Sequence, residues 1–273
     1  MAIGWTVIKV GGEVLEGPVL ADFAREVRGL RDVDSGALAI VHGGGPQVTE
    51  LQQRLGQTPK VIAGRRVTDA AALDVLKMVV AGRLNVDLVA SLVAVGIKAV
   101  GLHGASGPAI RAKKRPARIY GGAGPDPIDL GQVGDVEGFD TDLLWQIAQT
   151  GRVPVLACLG ADDAGSIFNI NADVVASRLA TVLGARRLVL VTGAPGVLSD
   201  PDDPSSRLPR LTATEARAAI ASGTVRGGMI PKIEESLAVL GKVAEVLVVG
   251  RLGPGDLARA VREPGSVGTL LTR

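Results

Sequence analysis

The stretch Thr6-Val7-Ile8-Lys9-Val10-Gly11-Gly12 decides the fold: a β-branched run, broken by one lysine, that stops on two glycines. Such a run reads as a strand buried on both faces, the habit of strands in a parallel sheet covered by helices. Working outward, the pattern recurs at Ala37–Val41, Ala99–Leu102, Val153–Ala157, Leu188–Val191 and Val246–Val249, and most of these runs end at glycine. The intervening segments are helical and punctuated. Thr68-Asp69 can cap a helix running through Leu73 and Val80, and Thr212-x-x-Glu215 is a capping box closed by Gly223. Strands alternating with helices predict an α/β fold, a three-layer αβα sandwich with a mostly parallel central sheet. Between Gly104 and Gly138, prolines, glycines and short basic or β-branched stretches replace helical periodicity, and we expect hairpins there. Two lobes of one continuous sheet are expected, residues 1–185 and 186–273.

Composition excludes several function classes. With 273 residues and 47% hydrophobic content, the chain can bury a large core. Thirty Lys+Arg against 28 Asp+Glu leave a net charge of +2, too balanced for a nucleic-acid or membrane surface, so attraction for anions has to be local. Aromatic residues at 2% offer no stacking platform for single strands. The apolar stretch Leu88–Ile97, bounded by Asp87 and Lys98, is roughly half a membrane span. One cysteine, Cys158, and two histidines exclude a disulfide framework and a Cys/His metal cluster. The first strand follows Met1 without the regions of a signal peptide, and we expect a cytoplasmic protein.

Five segments carry chemistry. In Lys9-Val10-Gly11-Gly12, glycines let backbone N–H groups approach an anion and the lysine adds charge, although a tight turn with a solvated lysine reads the same. His42-Gly43-Gly44-Gly45-Pro46 precedes the helical run Gln47–Leu55, with proline suited to the first turn, so N–H groups and the helix dipole face a second anion site. We read His42 as a packed histidine rather than a general base. Gly64-Arg65-Arg66-Val67-Thr68-Asp69 offers arginines suited to a carboxylate, or an exposed basic pair. Asn169-Ile170-Asn171-Ala172-Asp173 places polar groups on one side of the chain, or serves as turn and helix cap. Gly227-Gly228-Met229-Ile230-Pro231-Lys232 sets a lysine at a helix entry. Neither G-x-x-x-x-G-K-[ST] nor a dinucleotide G-x-G-x-x-G is present.

Taken in order, KVGG, HGGGPQV, GRRVTD, NINAD, LVTGAPGVL and GGMIPK span nearly the whole chain and resemble the acetylglutamate kinase branch of the amino-acid kinase family. The HGGG and NINAD forms set it apart from aspartate kinases, glutamate 5-kinases and uridylate kinases. The resemblance implies phosphorylation of the γ-carboxylate of N-acetyl-L-glutamate by ATP, with Mg2+ carried on the nucleotide. It implies that Lys9 and Lys232 flank the transferred phosphoryl group and that Asp173 holds both lysines. Gly11, Gly12 and Gly44 would supply backbone donors. Arg66 and Asn169 would grip the α-carboxylate, with Gly44 and Gly45 cradling the reacting carboxylate. The nucleotide would lie against Gly193, Ala194, Pro195, Gly196, Val197 and Leu198 and against Thr224, Val225 and Arg226. Many relatives have aspartate where Gly193 stands here, which leaves a polar contact absent or replaced.

The chemistry suits these residue types. A carboxylate with a pKa of about 4.3 is already the nucleophile at neutral pH, so no general base is required. A rival is a kinase of the same branch acting on a carrier-linked or acetylated aminoadipate or glutamate, for which Arg111, Lys113, Lys114, Arg115 and Arg118 form a basic patch able to receive an acidic carrier. A second is a non-catalytic sensor of this fold, which loss of Lys9, Lys232 or Asp173 would have favoured. Relatives inhibited by arginine carry a helical extension before the first strand and a histidine-containing stretch near Val246–Arg251, and neither is seen here. The resemblance thus implies an arginine-insensitive homodimer built on the N-terminal lobe, with the helix Leu73–Val80 part of the contact.

Overall fold

A computed structural model describes residues 4–226, 229–250 and 252–273; Gly227, Gly228 and Arg251, named above, lie outside them. In chain order the N-terminal elements are β1 (Trp5–Val10), α1 (Gly17–Val33), β2 (Ala37–His42), α2 (Gly45–Arg54), β3 (Val61–Ile62), β4 (Arg65–Arg66), α3 (Ala70–Leu76) and α4 (Asn85–Ala94). They continue through β5 (Ala99–Leu102), β6 (Ile110–Lys114), β7 (Gly134–Phe139), α5 (Thr141–Gln149), β8 (Val153–Ala157), β9 (Leu159–Ala161), β10 (Ile167–Asn169) and α6 (Ala172–Val182). The remainder holds β11 (Arg187–Thr192), β12 (Arg210–Thr212), α7 (Ala213–Ala221), α8 (Met229–Val239), β13 (Glu245–Gly250), α9 (Asp256–Arg262) and β14 (Thr269–Thr272).

Eight strands form the main sheet in the order β12-β14-β13-β11-β1-β2-β8-β5. All six runs read from the sequence lie in it and pair in parallel. Only β12 and β14 run the other way, β14 pairing antiparallel with β13. β1 is buried at every position, as its apolar run requires. α6 packs over β1, β2 and β11 and against α8, while α1 packs against α4 and α9, giving the expected three layers. Trp5 meets Trp145 of α5 edge to face at 5.0 Å, worth about 0.5–1.5 kcal/mol beyond the area buried. Residue 185 falls in the turn between α6 and β11, and the sheet runs unbroken across it because β1 pairs with β2 on one side and β11 on the other.

A second, four-stranded sheet has the order β10-β9-β6-β7. The expected hairpin is its β6/β7 pair, and β9 and β10 join it from beyond Gly138. The basic patch sits on this sheet and is largely neutralised: Lys113 lies 3.0 Å from Glu137, Lys114 2.8 Å from Asp129, and Arg115 and Arg118 both contact Asp135, at 2.8 and 2.5 Å.

Of the apolar helix Leu73–Val80, Met78 is the large apolar side chain left exposed. Leu73, Val75, Leu76, Val79 and Val80 are buried within the chain, and Val86 and Val93 of the following α4 are exposed. No helix among the described residues is long and apolar enough to cross a membrane.

Candidate active site

Ligands of open α/β sheets bind outside the carboxyl ends of the strands. Here the ends of β1 and β2 open on a cleft of about 360 Å3 that collects Lys9, Gly11, Gly12, Gly44, Gly45, Arg66, Asn169 and Asp173. Lys9 is the penultimate residue of β1 and is 4% exposed. Asp173 stands in the first turn of α6, where the helix dipole favours a negative charge, and Asn171 caps that helix by accepting the Asp173 N–H at 2.7 Å. The Lys9 ammonium lies 2.9 Å from Asp173 Oδ1, an ion pair without an aligned hydrogen bond. From the other half of the chain, Lys232 on α8 donates to Oδ2 at 3.3 Å. One buried carboxylate thus holds two ammonium groups, of which that of Lys9 lines the cleft.

The charges are mutually conditioned. Burial pushes the Asp173 carboxyl up, but Lys9 and then Lys232 outweigh it and hold the group below its ordinary value. Burial and the neighbouring Lys9 push the Lys232 ammonium down, while Asp173 and Glu13 push back. Cys158, which also lines the cleft, is driven up to about 11 by burial and stays a thiol at neutral pH.

The two glycine loops touch. A Cβ on Gly12 would fall 2.6 Å from Gln47 Oε1 and 3.2 Å from the Gly44 Cα, and one on Gly44 would collide with Leu84. Gln47 in turn donates to the Gly12 carbonyl at 2.8 Å. Leu84 ends a π-helical segment, Lys77–Leu84, that joins α3 to α4 and so also sets the next residue, Asn85. The Asn85 amide meets His42 Nε2 at 2.9 Å and donates to Val155 O at 3.1 Å, while His42 Nδ1 lies 2.9 Å from Gly43 O. These partners assign the proton to Nδ1. Burial lowers the His42 pKa to about 4. His42 is therefore a neutral packing and hydrogen-bonding residue, as the sequence reading had it. The Gly11 N–H donates to Val191 O at 3.3 Å, extending the sheet. The Gly12 and Gly44 N–H groups have no partner among the described residues.

On the opposite wall, Arg66 of β4 is pinned to α2. Its guanidinium donates to Gly45 O at 3.0 Å, to Thr49 Oγ1 at 2.6 Å and to Gln52 Oε1. Burial lowers its pKa without approaching loss of the proton at neutral pH. Asn169 ends β10 and donates to Thr68 Oγ1 at 3.0 Å, just before Asp69, whose carboxylate caps α3. Sequence reasoning missed Arg115 here: it was read as part of a surface patch, yet it lines the cleft with its side chain 14% exposed.

A family model described as the amino acid kinase family matches residues 4–250. This chain belongs to the amino-acid kinase family. An acetylglutamate kinase of Sorangium cellulosum (strain So ce56) is 57% identical over 271 residues, 99% of this chain and 95% of that one. An acetylglutamate kinase of Anaeromyxobacter dehalogenans (strain 2CP-C) is 57% identical over 266 residues, covering 97% and 98%. Among solved structures, N-acetylglutamate synthase from Neisseria gonorrhoeae, complexed with coenzyme A and N-acetyl-glutamate, matches with a TM-score of 0.83 at 24% identity. The match covers all of this chain and 60% of the synthase chain, and it is a likeness of fold.

The segments expected to face the nucleotide in this amino-acid kinase follow β11 and α7. Gly193 lines a second cleft of about 370 Å3 with Thr192, Phe23 and Leu252. Val197 and Val225 point into the core and could offer a nucleotide only their backbone. Thr224 contacts Ser222 at 3.0 Å, and Arg226 donates to Gly223 O at 2.6 Å. The structure does not draw Ala194 to Leu198 and Thr224 to Arg226 into the cleft lined by Lys9 and Asp173.

Proposed function

We propose that this chain phosphorylates the γ-carboxylate of N-acetyl-L-glutamate with ATP, giving the acyl phosphate, in arginine biosynthesis. The observation that carries the reading is the pair of lysines on one buried aspartate, within a chain 57% identical over 271 residues to an acetylglutamate kinase. The acceptor's α-carboxylate would pair with Arg66 and the Asn169 amide, which sets its side-chain carboxylate beside Gly44 and Gly45. That carboxylate is ionised at neutral pH and needs no base, consistent with a buried neutral His42 whose two ring nitrogens are both engaged by Gly43 and Asn85. Lys9 and Lys232 would neutralise charge as it spreads over the phosphoryl oxygens, with the free Gly12 and Gly44 N–H groups beside them. Asp173 spaces the lysines and opposes the loss of charge that burial imposes on Lys232.

Among the described residues no three acidic or histidine side chains converge to cage a metal. That donor set suits a Mg2+ held mainly by the ATP phosphates, where it would screen their charge. We assign acylated amino-acid binding to residues 1–185, ATP binding to residues 186–273, and the protein to the cytoplasm. A homodimer is proposed through the exposed face carrying Val86 and Val93, which lies beside the edge strand β5. With four of its five cations paired to carboxylates, the basic patch offers an acidic carrier protein little free charge.

The test is ADP release with N-acetylglutamate, glutamate, N-acetylaminoadipate and aspartate compared side by side. N-acetylglutamate is expected to give the highest kcat/KM. No turnover with any free acceptor would point to a carrier-linked substrate or a sensor and overturn the reading.

A further inference from the structure

Glu13 has no part in the lysine clamp. It is the middle residue of the short turn Gly12–Val14 that follows β1. Its Oε1 accepts the Gly193 N–H at 3.2 Å, across from the end of β11. A Cβ on Gly11 would collide with its carboxylate, which therefore lies directly over the glycine turn. Two clefts meet at this side chain: the one holding Lys9 and Asp173, and the one holding Thr192 and Gly193. Its charge reaches the Lys232 ammonium. Oε2 has no partner among the described residues.

Granted the ATP-dependent reading above, a phosphate chain held beside Gly193 would reach Lys9 of the N-terminal half across this carboxylate. Two anions in contact repel, and the repulsion grows as water leaves the cleft. A divalent cation between them reverses the sign. Magnesium is commonly bound by one or two carboxylates together with phosphate oxygens and retained waters, and a lone carboxylate with one unengaged oxygen at the join of two clefts is the protein's share of such a set. We propose that Glu13 contacts the Mg2+ carried by ATP and so makes the site selective for the metal complex over the free nucleotide.

The experiment is a calorimetric titration of ATP without acceptor, so that nothing turns over, in saturating Mg2+ and in EDTA. It compares the unaltered chain with Glu13→Gln, whose amide oxygen keeps the Gly193 hydrogen bond, and with Glu13→Asp, which keeps the charge. The unaltered chain should bind Mg-ATP at least tenfold more tightly than free ATP, the scale on which a metal's supporting groups act. Glu13→Gln should lose most of that ratio, in part by binding free ATP better, and Glu13→Asp should retain most of it. A Glu13→Gln ratio within twofold of the unaltered chain's overturns the assignment. So does loss of both forms of ATP in a Glu13→Gln protein that melts normally, since the side chain would then serve the loop alone. If the unaltered chain binds ATP equally well with and without Mg2+, the magnesium reading falls and this inference with it, while the phosphotransfer reading stands on its own assay.

Discussion

Lys9 and Lys232 share one carboxylate on unequal terms. The Lys9 side chain is 5% exposed and fixed on the central strand, whereas Lys232 is 20% exposed on a helix of the other half. Lys232 is the group freer to follow charge onto the phosphoryl oxygens, so Lys232→Ala should lower kcat about a hundredfold, roughly 3 kcal/mol, and leave both KM values nearly unchanged. Steady-state kinetics decide this, and an unaltered kcat removes Lys232 from the mechanism. Arg66→Lys keeps the charge but loses the planar fork that also grips Thr49 and Gln52, so KM for the acceptor should rise several-fold with ATP affinity unmoved. A rise confined to the ATP KM would reverse the assignment of the lobes. His42 makes a prediction about pH. Its folded pKa of about 4 lies below the ordinary 6.5, so as pH falls the unfolded chain takes the proton first. Stability should therefore drain away between about pH 6.5 and 4, by up to roughly 3 kcal/mol at 1.36 kcal/mol per unit. Urea midpoints at pH 7.5 and 5 should separate less in His42→Gln than in the unaltered chain, and equal separations would contradict a buried neutral imidazole.

At the level of elements, the last helix hangs from the first. The buried Glu26 carboxylate of α1 accepts N–H groups of Gly255 and Leu257, at 2.7 and 2.9 Å, at the start of α9. Glu26→Ala strands both donors, at about 1–3 kcal/mol. Tm should fall by several degrees with kcat unchanged, and an unchanged Tm in differential scanning calorimetry would show the cap to be idle. This clamp was invisible in the sequence, since a single glutamate on an amphipathic helix reads as solvent-facing until a distant backbone is brought to it. The inner strands were legible for the opposite reason: being covered on both faces, each had to be an uninterrupted apolar run, and glycine marked its end. β12 is a three-residue edge strand and β14 the four-residue strand beside it, both too short to stand out as apolar runs. The π-helical Lys77–Leu84 keeps ordinary helical composition, and only its register against Gly44 and His42 reveals it. Lys9, Asp173 and Lys232 were legible through the ordered series of segments, as no one segment sufficed. Arg115 and Glu13 were not, because their partners come from elsewhere in the chain: Arg115 pairs with Asp135 of β7, and Glu13 accepts from Gly193 just after β11.

For the whole molecule, exposure of Met78, Val86 and Val93 at 54%, 62% and 55% leaves an apolar face that a second copy would cover. Val86 and Val93, two turns apart, share one side of α4, which suits a self-complementary twofold contact. Light scattering should give the mass of two chains, and the double substitution Val86→Asp with Val93→Asp should give the mass of one with its circular dichroism retained. A dimer that survives both charges would place the contact elsewhere. The position of β1 bears on motion. That strand is hydrogen-bonded along its length to β2 and to β11, so any rotation of one half of the sheet against the other turns about it as an axle. Displacement grows with distance from an axle and vanishes on it. Lys9 sits on the axle, so in any such rotation it would keep its place while groups farther out on either half swing on lever arms.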